Sequence, residues 1–314
     1  MSVNKLLILS ADASQYGALI GAANLQQLEV AMADGVEAAA EKAGDCNIIL
    51  GNPLMVSGVL GLADSLEWVQ SSWAGVNDLC SPGLRRDYVL TNVKDVFGPL
   101  ISEYVITYLF ALERRLFSMR SNQLKRRWKP LPYRLSRELH VGVVGLGSIG
   151  RHLARSVRQF GIRVTGLNRS GRPCDHVEKV YTVENSARFF AGLDYVVLTL
   201  PDTNETRGFI NADTLKLMKK STVLMNVGRG SIINETDLVN ALQEGVIGGA
   251  VLDVFTEEPL ARDNPLWTLP NVFITPHNAA TSFPQDIVGI FTENYRRFLQ
   301  QEPLLHVVDF ELGY

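Results

Sequence analysis

The apolar run His140-Val141-Gly142-Val143-Val144 opens directly into Gly145-Leu146-Gly147-Ser148-Ile149-Gly150 and then into the helix-permissive Arg151-His152-Leu153-Ala154. A buried strand that turns through GxGxxG into a helix begins a βαβ unit, which commits the chain to a parallel sheet with helices on its faces. Further apolar runs without alternation follow at Val164 to Leu167, Tyr195 to Leu200, Thr222 to Val227, Ala250 to Val254 and Val272 to Thr275. An earlier set stands at Leu6 to Ser10, Asn47 to Gly51, Trp68 to Ser72 and Tyr88 to Thr91. Two such arrays predict an α/β chain of two parallel-sheet domains.

In the glycine loop, Gly145 permits the tight turn, Gly147 lets the backbone approach a pyrophosphate, and Gly150 lets helix pack on strand. Ser148 and Ile149 open the helix, whose amino end offers N–H groups and positive dipole to phosphate. The next strand should end in an acid that takes the ribose 2′-hydroxyl of NAD, but Asn168 stands there, followed by Arg169, Ser170 and Arg172. With no carboxylate to repel a 2′-phosphate and guanidinium forks to bind one, these residues predict NADPH over NADH.

Between the arrays, Phe97-Gly98-Pro99 leads into Ile101, Tyr104, Val105, Tyr108, Leu109, Leu112 and Leu116, one apolar helical stripe read as a single helix crossing between domains. Ile287, Ile290, Phe291, Tyr295 and Phe298 repeat that spacing in a last helix, expected to end near Gln300 and to return to the first domain. The 314 residues suffice for two domains, and a net charge of -3 argues against a nucleic-acid partner. Lys125-Arg126-Arg127 reads as a solvated helix end. No apolar run reaches the roughly 18 residues a membrane helix needs, and the first is too short for a signal peptide. Cys46, Cys80 and Cys174 have no CxxC spacing, so a reducing, cytoplasmic setting is expected. His140, His152, His176 and His306 read as turn or surface residues without ligand spacing, and no metal is expected.

Three stretches carry chemistry: Asn226-Val227-Gly228-Arg229-Gly230, Asp253-Val254-Phe255-Thr256-Glu257-Glu258-Pro259 and Thr275-Pro276-His277-Asn278-Ala279-Ala280. Each follows a strand. Arg229 is placed to grip a substrate carboxylate and stabilise charge on the adjacent carbonyl oxygen during hydride attack. His277 is the proton donor that carbonyl reduction needs near neutral pH, and an acid beside it would keep it loaded. Spacing and charge leave Glu257 and Glu258 equal candidates for that acid. Asp253 could bind the nicotinamide carboxamide or cap its loop.

Taken together, Gly145 to Gly150, the segment from Leu200-Pro201-Asp202 to Ile210-Asn211, Asn226 to Gly230, Asp253 to Leu260 and Thr275 to Ala280 resemble the signatures of the D-isomer-specific 2-hydroxyacid dehydrogenases. The resemblance implies that Arg229, Glu258 and His277 form the catalytic set, Glu258 being the acid immediately before Pro259. It implies that Leu200, Pro201, Thr206, Val227, Gly228, Asp253, Ala279 and Ala280 line the cofactor. It also implies two Rossmann-like domains, the flavodoxin-like substrate domain being split (residues 1–97 and 285–314) around a central dinucleotide-binding domain (98–284), with substrate between them. In that substrate domain Trp73, Ala74 and Gly75 look like the loop whose N–H groups hold the substrate carboxylate, and Met55 lies in the opposite wall. The Asn264-Pro265-Leu266-Trp267 stretch and Asn278-Ala279-Ala280 are most similar to the NADPH-dependent glyoxylate/hydroxypyruvate reductase A group, whose members usually dimerise through the cofactor domain. A homodimer is expected, with Trp128 in the exchanged stretch. Two other readings stay open: a dinucleotide-sensing, corepressor-like binding protein, and a dehydrogenase of the same fold acting on phosphoglycerate or phosphite. An acid at 258 argues against formate-type chemistry.

Overall fold

A computed structural model describes residues 3–313 as two compact units. One runs to Val96 and resumes at Ser282, and the other is Phe97–Thr281. The first contains β1 (Asn4–Leu9), α1 (Ala13–Ala22), β2 (Leu28–Ala33), α2 (Val36–Ala43), β3 (Ile48–Gly51), α3 (Pro53–Ser57), β4 (Trp68–Ser71) and β5 (Val89–Thr91). The second contains α4 (Phe97–Glu113), α5 (Leu116–Leu124), β6 (His140–Val144), α6 (Ser148–Arg158), β7 (Arg163–Leu167), β8 (Val180–Tyr181), α7 (Ser186–Phe190), β9 (Tyr195–Leu198), α8 (Ala212–Lys216), β10 (Val223–Asn226), α9 (Glu235–Gln243), β11 (Gly249–Leu252) and β12 (Val272–Ile274). The last helix, α10 (Pro284–Gln300), belongs to the first unit.

Both sheets are wholly parallel. The first has the order β2-β1-β3-β4-β5, the flavodoxin-like arrangement, and the second is β12-β11-β10-β9-β6-β7-β8, a Rossmann order extended by one strand. Leu6 to Leu9, Ile48 to Leu50, Val196 to Leu198 and Val251 are all but inaccessible, as strands covered on both faces must be. In the second sheet the register aligns Leu167, Val144, Leu198, Asn226, Leu252 and Ile274 in one row at the strands' carboxyl ends. Every loop that follows this row leaves the sheet on the same side, which is where ligands bind in open α/β folds.

Two strands lie outside the sequence expectation. β2 is an edge strand whose apolar run is broken by Glu29 and half of whose residues are exposed, so it lacks the continuous apolar signal of its neighbours. β8 is two residues long. The single crossing helix is also two helices: α4 stops at Glu113, Arg115 adopts φ +55°, and α5 starts at Leu116. The apolar spacing runs on to Leu116 at the start of α5, so periodicity alone did not reveal the break, although α5 buries none of its residues. His140 and His152 are not turn residues either: they sit in β6 and α6, bonded to Thr165 and to Ser102.

In the first unit α10 buries Ile287, Phe291 and Tyr295, with Phe291 stacked on Trp68 at 5.1 Å. It also carries Asn294 into a buried polar network. Asn294 Nδ2 donates to Gln70 Oε1, Gln70 Nε2 donates to the Asn92 carbonyl, and Thr91 Oγ1 links Trp68 Nε1 to Gln70. Satisfied networks of this kind fix one arrangement of the strand ends they join. Among the described residues no helix is long and apolar enough to cross a membrane.

Candidate active site

Arg229, Asp253, Glu258 and His277 follow three neighbouring strands, β10, β11 and β12, just beyond the aligned row. The first turn is shaped by Asn226, whose buried side chain accepts from the Gly228 N–H and donates to the Arg229 carbonyl at 2.9 Å. A Cβ on Gly230 would fall 1.8 Å from the carbonyl carbon of Phe255, so only glycine lets this turn press against the loop that carries Glu258. The guanidinium of Arg229 is half-buried and donates to the Gly228 carbonyl at 2.6 Å. Burial pushes its pKa down, opposed by the charges of Glu258 and Asp202.

Glu258, and not Glu257, meets His277. Its Oε2 lies 2.7 Å from Nδ1, and its Oε1 accepts from the Phe255 N–H at 2.9 Å. Since the carboxylate is the acceptor, Nδ1 carries the hydrogen, and Nε2 has no partner among the described residues. His277 itself is held at φ +51°. Asp253, 2% exposed, takes the Asn278 N–H on one oxygen and the Ala279 N–H on the other, so it caps the histidine loop. Asn226, which bonds the Arg229 turn within itself, and Thr275, which bonds Asp253 beneath the histidine loop, went unassigned in the sequence, where polar residues at strand ends were the available signal.

Around the glycine loop, Gly145 has φ +98° and would seat a Cβ 3.1 Å from Leu200, whereas a Cβ on Gly147 would meet nothing within 4 Å. That open face at the head of α6 suits a dinucleotide pyrophosphate, with Ser148 and Ile149 in the first helical turn and Gly150 packed against the Gly145 carbonyl. Thr206 Oγ1 donates to the Pro201 carbonyl at 2.6 Å and accepts from the Thr203 N–H, closing the loop after β9. Val227 and Ala279 are buried and Ala280 is half-buried. Asn168 spends its side-chain oxygen on the Gly171 N–H at 2.6 Å. Beside it lies a pocket lined by Arg151, Arg155, Asn168, Ser170 and Arg172, with Asp175 as its acid. Arg169 does not line it and instead pairs with Glu205 at 3.5 Å. Arg151, Arg155 and Arg172 form no ion pair among the described residues.

In the first unit, the Trp73 and Ala74 carbonyls are turned inward, taken by the Val93 N–H at 3.3 Å and by Asn92 Nδ2 at 2.8 Å. The Ala74 and Gly75 N–H groups make no hydrogen bond among the described residues. Trp73 is exposed beside them, and Met55 is half-buried on α3.

The model of the D-isomer specific 2-hydroxyacid dehydrogenase NAD binding domain matches residues 106–279, which lie wholly in the second unit. The chain belongs to that family. It is similar to glyoxylate/hydroxypyruvate reductase A of Photorhabdus laumondii, 35% identical over 217 residues that cover 69% of each chain. Among solved structures it resembles a D-isomer specific 2-hydroxyacid dehydrogenase family protein from Aeromonas salmonicida, at 42% identity and TM-score 0.95 over 98% of this chain and 100% of that one. Another is the NADPH-dependent glyoxylate/hydroxypyruvate reductase of Sinorhizobium meliloti in complex with NADP and sulfate, at 28% identity and TM-score 0.88 over 99% and 100%. As a family dehydrogenase the protein is an oxidoreductase with a nicotinamide dinucleotide domain.

Proposed function

We propose that this dehydrogenase reduces a small 2-keto acid of the glyoxylate or hydroxypyruvate type to the D-2-hydroxy acid. The observation that carries the reading is the His277–Glu258 pair, with Nε2 unpartnered and the Arg229 guanidinium on the neighbouring strand's loop. Arg229 binds the substrate carboxylate and leans on the carbonyl, whose oxygen gains charge as the bond reduces. His277 delivers its proton to that oxygen from Nε2, and Glu258 holds the ring in the orientation that allows it. Bound NADPH supplies the hydride. The Ala74 and Gly75 amides of the first unit, which make no hydrogen bond among the described residues, support the reading of their loop as a carboxylate-binding element. A panel of glyoxylate, hydroxypyruvate, pyruvate and phosphohydroxypyruvate tests the reading: turnover of the first two is expected, and reduction of none of them would defeat it.

The preference for NADPH rests on the pocket of Arg151, Arg155, Ser170 and Arg172, a set of donors with no ion-paired acid. The reductase from Sinorhizobium meliloti was solved with NADP. A homodimer through the dinucleotide unit is supported by the apolar surface on and after α5, where Leu116, Phe117, Met119 and Leu124 are exposed and Trp128 is fully so. Sedimentation velocity of the parent and of Trp128→Asp distinguishes a dimer that dissociates in the variant from a monomer in both.

A further inference from the structure

Tyr104 and Thr275 have no part in the chemistry above, yet their hydroxyls end on the residue that holds the histidine loop. Thr275, directly after β12, donates to Asp253 Oδ1 at 2.5 Å and lies 2.7 Å from the Tyr104 hydroxyl on α4. A hydroxyl has one hydrogen, and Thr275 spends its own on Asp253, so Tyr104 is the donor to Thr275. Burial, reinforced by the Asp253 charge, pushes the Tyr104 phenol far above its usual value despite the opposing bond to Thr275, so it keeps that hydrogen at any working pH.

Asp253 passes this anchoring on. It takes the Asn278 and Ala279 N–H groups on its two carboxylate oxygens and the His277 N–H on its main-chain carbonyl, at 2.8 to 3.0 Å. Three consecutive amides are thus bound to one residue. The first of the three, His277, sits in left-handed backbone, which a non-glycine residue keeps only where its surroundings impose it. Apart from those loop amides, Thr275 is the one group that bonds the Asp253 carboxylate among the described residues.

We propose that Tyr104 and Thr275 are positioning residues: they fix the Asp253 carboxylate, which fixes the loop 277–279 and so the direction in which His277 presents Nε2. The proposal rests on His277 as the proton donor. Its test compares Thr275→Val, Thr275→Ser and Tyr104→Phe with the parent, all full-length and loaded with NADPH. Two readouts are used, steady-state glyoxylate reduction and the imidazole signals of 15N-labelled histidine, with the His277 signal assigned from His277→Gln. Misaiming a proton donor predicts a fall in kcat of about tenfold for Thr275→Val and about threefold for Tyr104→Phe. Thr275→Ser, which keeps the hydroxyl, restores kcat. The His277 signal moves in the valine and phenylalanine variants and not in the serine variant. Parental kcat in Thr275→Val and Tyr104→Phe, or a serine variant as impaired as the valine one, overturns the positioning role. Should the parent reduce no keto acid, the functional reading falls, and the histidine signal decides this proposal alone: an unmoved signal in Thr275→Val and Tyr104→Phe refutes it.

Discussion

The Glu258 carboxylate is held at both ends, one oxygen 2.7 Å from His277 Nδ1 and the other on the Phe255 N–H at 2.9 Å. A carboxylate so fixed dictates the histidine's tautomer as well as its direction. In Glu258→Gln the amide keeps the size but can present an N–H to Nδ1, which would move the ring hydrogen to Nε2 in the neutral form. We expect kcat to fall by about a hundredfold or more, as loss of a ring-orienting carboxylate does elsewhere, with KM for NADPH little changed. Stopped-flow measurement of hydride transfer checks this, and Glu257→Gln, whose side chain does not meet His277, should turn over like the parent.

For cofactor choice, the arginines divide by their partners. Arg172 and Arg151 line the pocket beside Asn168, whereas Arg169 is engaged by Glu205. Replacing Arg172 or Arg151 by alanine should raise KM for NADPH by about tenfold, the cost of one charge-assisted bond, and leave NADH kinetics alone. Arg169→Ala should do much less. Parallel kcat/KM measurements with both cofactors test the ranking.

Asn92 offers a separate handle on the first unit. Its side chain is buried and donates to the Ala74 carbonyl at 2.8 Å, holding the loop with its amides free. Asn92→Ala is expected to raise KM for the keto acid by about tenfold while KM for NADPH stays put, because a buried donor lost from one loop loosens that loop alone. Equal rises in both constants would argue against the loop as a substrate element.

Much of this arrangement was legible in the sequence because strand ends in a parallel sheet fall in register. Asn226, Leu252 and Ile274 form one row, so the residues just after each run had to emerge side by side. What the sequence withheld were decisions made by neighbours. By spacing and charge Glu257 and Glu258 are equivalent, and only the family resemblance pointed to Glu258; it is the path of the loop that brings that one to His277. Arg169 and Arg172 read alike until Glu205, remote in sequence, claims the first. Edge strand β2 escaped notice because half-exposed residues carry no run of apolar character.

Stability should depend on pH through Asp194. Burial would raise its carboxyl pKa, but bonds from Lys219, Arg134 and the His140 N–H outweigh burial and hold it below the usual range. A lowered folded-state value means that the group stabilises the fold fully above its unfolded pKa of about 4, and that this contribution is lost as pH falls through the folded value. Asp194→Asn leaves Arg134 and Lys219 without this partner and should cost about 3 kcal/mol at neutral pH. Thermal unfolding from pH 7 downward should show the variant's deficit shrinking below about pH 4.

The most direct measurement compares NADPH-dependent reduction of glyoxylate and hydroxypyruvate by the parent and by His277→Ala, with NADPH binding followed separately by nucleotide fluorescence. Loss of the proton donor should lower kcat by about a hundredfold to ten-thousandfold while NADPH binds as before. A parent that reduces neither acid, or a variant that turns over as fast as the parent, would contradict the assignment of His277 and the function built on it.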